Sequence, residues 1–330
     1  MKVLLISDGR PGHENLSAGI VAALGRRNAT RVERVLVRRG AWPGPVTALT
    51  TRLGLSPATV LSLIYGQAAA DLPDADVVVS AGAETLAANI AAARHLAAAN
   101  IFYGSLRQFR PSDFSLVLTS YAGAATSANI VRALKPSALD PDTLAAADAG
   151  TRLGLLVGGP TTGISYDDGD WQALESLVRE TFGKAGIRWL VSNSRRTPAP
   201  ASAMLRQMAG EPNGPIEMLI DVGEPDAPSL EGLLASVDGV ICTADSSSMI
   251  SEVVWARRRL LCLEPDRFSL NASEAGYRDW LAQEGWLRST KLRRLSPDTV
   301  IHELSQVSPR VSNALDELAD LLERVPALRR

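Results

Sequence analysis

The sequence predicts an α/β protein made of two successive doubly wound domains. The chain has 330 residues, and at roughly 150 residues per domain that length suits two. Short, nearly uninterrupted apolar runs alternate with longer helical patterns, as in parallel sheets whose faces are both covered by crossover helices. The alternation stops after residue 135 and restarts at residue 152.

In the first half, residues 3–7 read as a strand and 14–26 as a helix. A second strand is expected at 32–37, followed by a long segment with a helical pattern at 58–70. A strand at 77–80, an Ala-rich helix at 84–96 and strands at 100–103 and 115–119 complete a domain spanning 1–140. The run Lys135-Pro136-Ser137-Ala138-Leu139-Asp140-Pro141 and the Ala-rich stretch to Gly150 lack strand patterning and read as a linker. The second domain, 150–330, opens with a strand at 152–157, a loop at 158–163, a helix at 170–184 and a strand at 188–192. Further strands are expected at 216–220, 239–243 and 259–263, with helices at 230–235, 248–256 and 275–283. A last amphipathic helix at 311–323 is expected to pack on either domain. No repeat with a period of roughly 20–50 residues is visible, which excludes a solenoid.

Composition narrows the function. Apolar residues make up 46% and charged residues 21%, values of an ordinary globular protein rather than a disordered chain. Lys plus Arg is 34 and Asp plus Glu is 36, so the net charge is 34 − 36 = −2, which disfavours a protein that coats nucleic acid. Residues 1–150 carry 14 basic and 11 acidic side chains (+3), and residues 151–330 carry 20 and 25 (−5). Cys242 and Cys262 lie inside apolar runs and read as reduced core residues of a cytoplasmic protein. The apolar start is stopped by Asp8, too soon for a signal peptide. No stretch approaches the ~18 apolar residues of a membrane span.

In open α/β sheets, ligands lie beyond the carboxyl ends of the strands, and the distinctive residues follow the strands here. The first strand runs into Ser7-Asp8-Gly9-Arg10-Pro11-Gly12-His13, a tight turn that places His13 at or just before a helix start. A histidine there serves as a base near neutral pH or as a capping residue. His95 and His302 fall in helical patterns and read as structural. Gly158-Gly159-Pro160 opens a glycine-rich loop after the next domain's first strand, where small residues admit a ligand close to the backbone. It is neither a dinucleotide fingerprint nor a phosphate-binding P-loop. Ser194-Arg195-Arg196-Thr197 offers two guanidinium forks to a diphosphate, or a solvated charge pair. Asp245-Ser246-Ser247-Ser248-Met249 is a hydroxyl-rich turn into a helix, with Asp245 or Ser246 as its cap. Glu252 lies one turn after Ser248 on the same helix face, placed for a ribose diol or to complement the helix dipole.

These four loops together resemble the bacterial relatives of the plant elongated-mitochondria (mitochondrial fission) protein family, and the resemblance spans most of the chain. It implies a GT-B-like fold: two Rossmann-like domains facing a cleft, with a nucleotide sugar held by the C-terminal, donor domain and an acceptor by the N-terminal one. The loop ending in His13 is also similar to the first loop of the lipid-linked N-acetylglucosaminyltransferase of peptidoglycan synthesis. That likeness implies His13 as the base for an acceptor hydroxyl, Asp8, Gly9, Arg10 and Gly12 around it, and Glu252 on the donor ribose. The chain departs from the family after the strand at 115–119, reading Thr119-Ser120-Tyr121-Ala122-Gly123 where a Pro-x-His-Asp-like stretch is expected.

The implied reaction is transfer of a sugar from a nucleotide-diphosphate sugar to a cell-envelope or lipid-linked glycan, without cofactor. Asp140-Pro141-Asp142 is an Asp-x-Asp match, but it falls in the linker, so metal-independent chemistry is expected; the reaction is inverting if His13 is a base acting opposite the leaving group. A nucleotide-sugar 2-epimerase and a non-catalytic nucleotide-binding scaffold are the alternatives. Arg26, Arg27, Arg31, Arg34, Arg38 and Arg39 lie among 14 residues with one acid, Glu33, ahead of Trp42 and the apolar run 60–65. They suggest peripheral contact with the anionic inner face of the cytoplasmic membrane, or equally a solvated helix end beside a buried helix.

Overall fold

The computed structural model describes residues 1–123, 127–144, 151–224 and 227–329. The chain divides into two compact units, Met1–Ala138 with Ala314–Arg330, and Leu139–Asn313.

The first unit runs β1 (Lys2–Ser7), α1 (Pro11–Gly25), β2 (Arg31–Leu36), α2 (Gly44–Arg52), α3 (Pro57–Tyr65), β3 (Val77–Ala81), α4 (Leu86–Leu96), β4 (Ala99–Tyr103), β5 (Leu116–Thr119) and β6 (Ile130–Arg132). Its six strands pair in parallel in the order β2-β1-β3-β4-β5-β6. Every residue of β3, Val-Val-Val-Ser-Ala, is buried, the continuous burial of a strand covered on both faces. Edge strand β2 instead carries exposed Arg31, Glu33 and Arg34, charges that discourage further strand pairing.

The second unit runs β7 (Arg152–Leu156), β8 (Ile164–Ser165), α5 (Asp168–Ala185), β9 (Arg188–Ser192), α6 (Ala199–Ala209), β10 (Ile216–Ile220), α7 (Leu230–Ala235), β11 (Gly239–Thr243), α8 (Ser247–Trp255), β12 (Arg259–Glu264), β13 (Arg267–Phe268), α9 (Ala272–Gln283), β14 (Arg288–Lys291) and α10 (Pro297–Ser305). Its main sheet has the parallel order β10-β9-β7-β11-β12-β14, and β8 and β13 form a separate antiparallel pair. Six strands in that order are the dinucleotide-fold arrangement 3-2-1-4-5-6. Helix α11 (Ala314–Glu323) then returns to the first unit. It buries Leu315, Leu318 and Leu322 and pairs Asp316 with Arg26 at 2.9 Å and Asp320 with Arg27 at 2.7 Å.

The helix ends have local causes. Ser56 caps α3, and Gly66 ends it in the left-handed region at φ +64°, so the helical pattern at 58–70 stops at residue 65. Asp167 and Asp170 form a reciprocal capping box on α5, which satisfies two amides that the first turn leaves free. Several elements were not expected from sequence. Helix α2 puts threonines inward and β14 reads Arg-Ser-Thr-Lys with no apolar residue, so neither shows the usual hydrophobic period; α6, which starts between two prolines, buries Ala201, Leu205 and Met208 at helical spacing. Of the expected linker, residues 145–150 lie outside the described residues. From Leu139 onward the described part packs on the second unit: Trp255 donates its indole N–H to Leu139 O at 2.6 Å, and Asn313 donates to Asp140 and Asp142.

In each main sheet the strand order reverses once, between β1 and β3 and between β7 and β11. Such reversals open a crevice beyond the carboxyl ends of the two strands.

Candidate functional site

In the first unit the reversal point is formed by the loops after β1 and β3. Ser7 donates its hydroxyl to Glu14 Oε1 at 2.5 Å and accepts the Gly9 N–H at 2.9 Å. This bends the chain sharply enough that Gly9 sits at φ +77°. Asp8 is thereby turned inward, its side chain 4% exposed. Its Oδ1 accepts the Arg10 N–H at 3.1 Å and its Oδ2 the Nδ1–H of His13 at 2.8 Å. His13 is the third residue of α1 rather than its forerunner, because Pro11 already starts the helix. The cap position belongs to Arg10, which makes no side-chain cap, so the capping alternative for His13 falls away. Gly82, at φ +90° directly after β3, lies against the imidazole so closely that a β-carbon there would overlap the ring. A β-carbon at Gly12 would meet open space, and Arg10 is exposed.

The next residues extend this crevice wall. Arg39 donates to Glu84 at 3.0 Å, and the Tyr65 hydroxyl donates to Glu84 O at 2.9 Å while accepting the Ala88 N–H at 3.2 Å. Burial holds the Tyr65 phenol well above its usual pKa. His95 and His302 are exposed on α4 and α10. Ser120 is fully buried between Tyr103 Oη at 2.7 Å and Ala133 O at 2.8 Å.

In the second unit the loops after β7, β9 and β11 meet on one carboxylate. Asp245, whose side chain is wholly buried, accepts from Gly159 N–H at 3.0 Å, Tyr166 Oη at 3.0 Å and Arg196 Nη2 at 2.9 Å. Gly158 donates its N–H to Thr243 Oγ1 at 2.7 Å. A β-carbon at Gly158 would overlap the Asp245 carboxylate, and one at Gly159 would overlap the Arg196 carbonyl. These glycines therefore make room for neighbouring loops, and their amides are already engaged. Pro160, which has no N–H, is exposed. Ser194 and Thr197 brace the arginine loop: Thr197 Oγ1 accepts the Ser194 N–H at 2.8 Å and donates to Val157 O at 2.9 Å. The two arginines thus differ. Arg196 is tied to Asp245, whereas Arg195 is exposed and, among the described residues, has no hydrogen bond or ion pair.

Ser246 is the cap of α8, accepting the Met249 N–H at 3.5 Å. Ser247 donates to Glu274, and the buried Arg278 donates to Ala244 O at 2.8 Å and Ser247 Oγ at 3.4 Å. Ser248 is exposed and Met249 half-buried. The backbone N–H groups of Ser247 and Ser248 lie in the first turn, where no helical carbonyl precedes them. Glu252, one turn on, is largely enclosed, and its carboxyl has no hydrogen-bond partner among the described residues; burial pushes that carboxyl up to about 7.

Most of the residues singled out from sequence thus gather at the two reversal points. Gly82, Glu84 and Tyr166 join them unannounced. A glycine directly after the strand beside β1 was the available signal for Gly82; Tyr166 comes from the short β8 segment and had none. Among the described residues, no three or more His, Cys, Asp or Glu side chains gather as a metal site. The expected basic cluster is largely paired: Arg26 and Arg27 with α11, Arg31 with Glu33, Arg34 with Glu14 and Arg39 with Glu84, leaving Arg38. Of the apolar run 60–65, Val60, Leu61 and Ile64 are core residues.

Two units with parallel six-stranded sheets, each with its polar loops at a reversal point, define a protein of the GT-B fold. The chain belongs to the family described as mitochondrial fission ELM1, which it matches over residues 11–322. Among solved structures it is similar to the UDP-GlcNAc 2-epimerase of Methanocaldococcus jannaschii, with a TM-score of 0.56, 13% identity and coverage of 98% of this chain and 99% of that one. It is also similar to Staphylococcus aureus MnaA solved with UDP (TM-score 0.55, 13% identity, 96% and 94% covered). A third is Acinetobacter baumannii MurG (TM-score 0.51, 11% identity, 98% and 99% covered). No functionally curated protein matches the chain in sequence.

Proposed function

We propose that the protein is a glycosyltransferase that moves a sugar from a nucleotide-diphosphate sugar to a hydroxyl of a cell-envelope or lipid-linked glycan. The observation that carries this reading is the Asp8–His13 pair at the first unit's reversal point. A buried carboxylate that accepts Nδ1–H fixes the neutral imidazole in the tautomer whose Nε2 lone pair is free. That nitrogen takes the acceptor's proton as its oxygen bonds to the anomeric carbon and the nucleoside diphosphate departs with the bonding pair. A base acting opposite the leaving group makes the transfer inverting.

The second unit supplies the donor half. The leaving diphosphate gains charge that fixed donors stabilise: the unpaired Arg195 guanidinium and the first-turn amides of Ser247 and Ser248. Arg196, held by Asp245, shapes the loop that presents Arg195. Glu252 accepts hydrogen bonds from the ribose diol, and Met249 packs against the base. No step calls for a metal ion.

UDP and UDP-GlcNAc are the first probes, because structures of similar fold were solved with or named for them. A ligand at 100 times its Kd stabilises the fold by about 2.7 kcal/mol, a measurable thermal shift. The reading requires UDP release that depends on an added acceptor and vanishes in His13→Ala while the shift persists. A free epimerised sugar without acceptor makes the protein an epimerase. Binding with no turnover on any acceptor panel makes it a scaffold.

A further inference from the structure

Helix α2 is built inside out. Its buried face carries Thr47, Thr50 and Thr51, and its exposed side carries Val46 and Leu49, continued by Leu53 at its end. Leu49 is 49% exposed and Leu53 70%. Positions 46, 49 and 53 share one helix face. The threonines need no partner from the core, because each hydroxyl bonds a carbonyl three residues back in its own helix, to Gly44 O at 2.8 Å, Thr47 O at 2.7 Å and Ala48 O at 2.8 Å. The apolar stripe continues onto Leu55 in the turn and Leu63 on α3, 50% exposed. Trp42 joins it, its indole N–H bonded to Leu63 O at 3.2 Å.

Charge identifies what covers this face. Residues 34–70 contain four arginines and no Asp or Glu. Arg38 is exposed and, among the described residues, has no partner. Arg52 donates to the carbonyl of Gln108, which brings the exposed Arg107 beside the end of α2. Arg34 and Arg39 are paired with Glu14 and Glu84, so the charge left unneutralised among the described residues is that of Arg38, Arg52 and Arg107, which a second copy of this face would set against its own. An anionic bilayer matches both features, receiving the leucines among its acyl chains, the indole at the interface and the guanidiniums at its headgroups.

We propose that the α2–α3 face docks the protein on an anionic lipid surface. This surface adjoins the His13 crevice within the same unit, because Tyr65, the last residue of α3, and Arg39 both bind Glu84, two residues after Gly82. On the proposed glycosyltransferase reading, the acceptor is therefore a lipid-linked saccharide whose tail stays in the membrane. Docking itself does not depend on that reading.

The test is flotation of the full chain with vesicles of phosphatidylcholine, with and without phosphatidylglycerol, at low and high salt. Wild type is expected to float with the anionic vesicles at low salt. Leu49→Asn with Leu53→Asn should weaken this by about tenfold or more, and Arg38→Gln by about fivefold, each with unchanged unfolding midpoint and UDP shift. No flotation of wild type at low salt overturns the proposal. So does flotation equal in the double variant, or a wild-type dimer that the same variant dissociates, since a second copy would then own the face. Flotation with no turnover on any acceptor would leave docking standing and sink the glycosyltransferase reading instead.

Discussion

The α-carbon of Gly82 lies so close to the imidazole of His13 that a side chain of any kind at 82 would overlap the ring. Strand β3 thus ends in a glycine that leaves room for the histidine delivered by α1, and the positive φ of +90° excludes other residues independently. Gly82→Ala is expected to lower stability by about 1–3 kcal/mol and to reduce turnover by displacing the ring. Urea unfolding and product release measure the two. An unchanged midpoint with full activity would show that the ring does not seat there.

Asp8 acts through His13. Asp8→Asn removes the acceptor that selects the tautomer, so turnover should fall by about 10³-fold or more while UDP affinity stays constant. His13→Gln should fall by about 10²–10⁴-fold. The double variant should be little worse than either single one, because the two residues form one unit. Independent, multiplying losses would refute the pairing.

Arg195 and Arg196 are neighbours with different fates. Arg195→Ala should leave the ligand-free unfolding midpoint unchanged, as exposed substitutions do, yet weaken UDP binding by about tenfold or more. Arg196→Ala should cost about 1–2 kcal/mol of stability, the half-exposed guanidinium being partly screened. Calorimetric titration and unfolding together distinguish them, and the opposite assignment of effects would place the diphosphate on Arg196.

Glu252 gives the stability a pH dependence of known sign. Its folded pKa is raised by burial to about 7 from the ordinary 4.5 of a glutamate, so between those values the folded state holds the extra proton. Stability is therefore greatest below the lower value and falls as pH rises through the upper one, by up to about 3 kcal/mol. Glu252→Gln should remove that decline. Ribose hydroxyls that donate to the carboxylate favour its ionised form, so UDP binding near pH 7 should release a proton and tighten as pH rises. Binding that is independent of pH across this window in wild type would remove Glu252 from the ribose.

Much of the fold could be read directly. Strand β3 is buried throughout and apolar but for Ser80, and β1 and β11 are nearly apolar, because both their faces are covered; that pattern is local and survives in one dimension. The loops bearing His13 and Ser246 were legible for the same reason, since a tight turn into a helix demands glycine, proline and a capping hydroxyl within a few consecutive residues. Helix α2 was invisible because its threonines satisfy themselves and its leucines face outward, and β14 because an edge strand need not be apolar.

The sequence by itself determined which side chains stand at strand ends, since periodicity and turn chemistry are properties of neighbouring residues. Only the tertiary structure decided their partners. It set Asp8 on His13 against Gly82, joined Asp245 to Gly159, Tyr166 and Arg196, and, among the described residues, left the Arg195 guanidinium and the enclosed Glu252 carboxyl without a partner. Those relations depend on which strands lie side by side, and the crossovers of a parallel sheet bring together residues far apart in the chain, as Gly159 and Asp245 are at a separation of 86 positions.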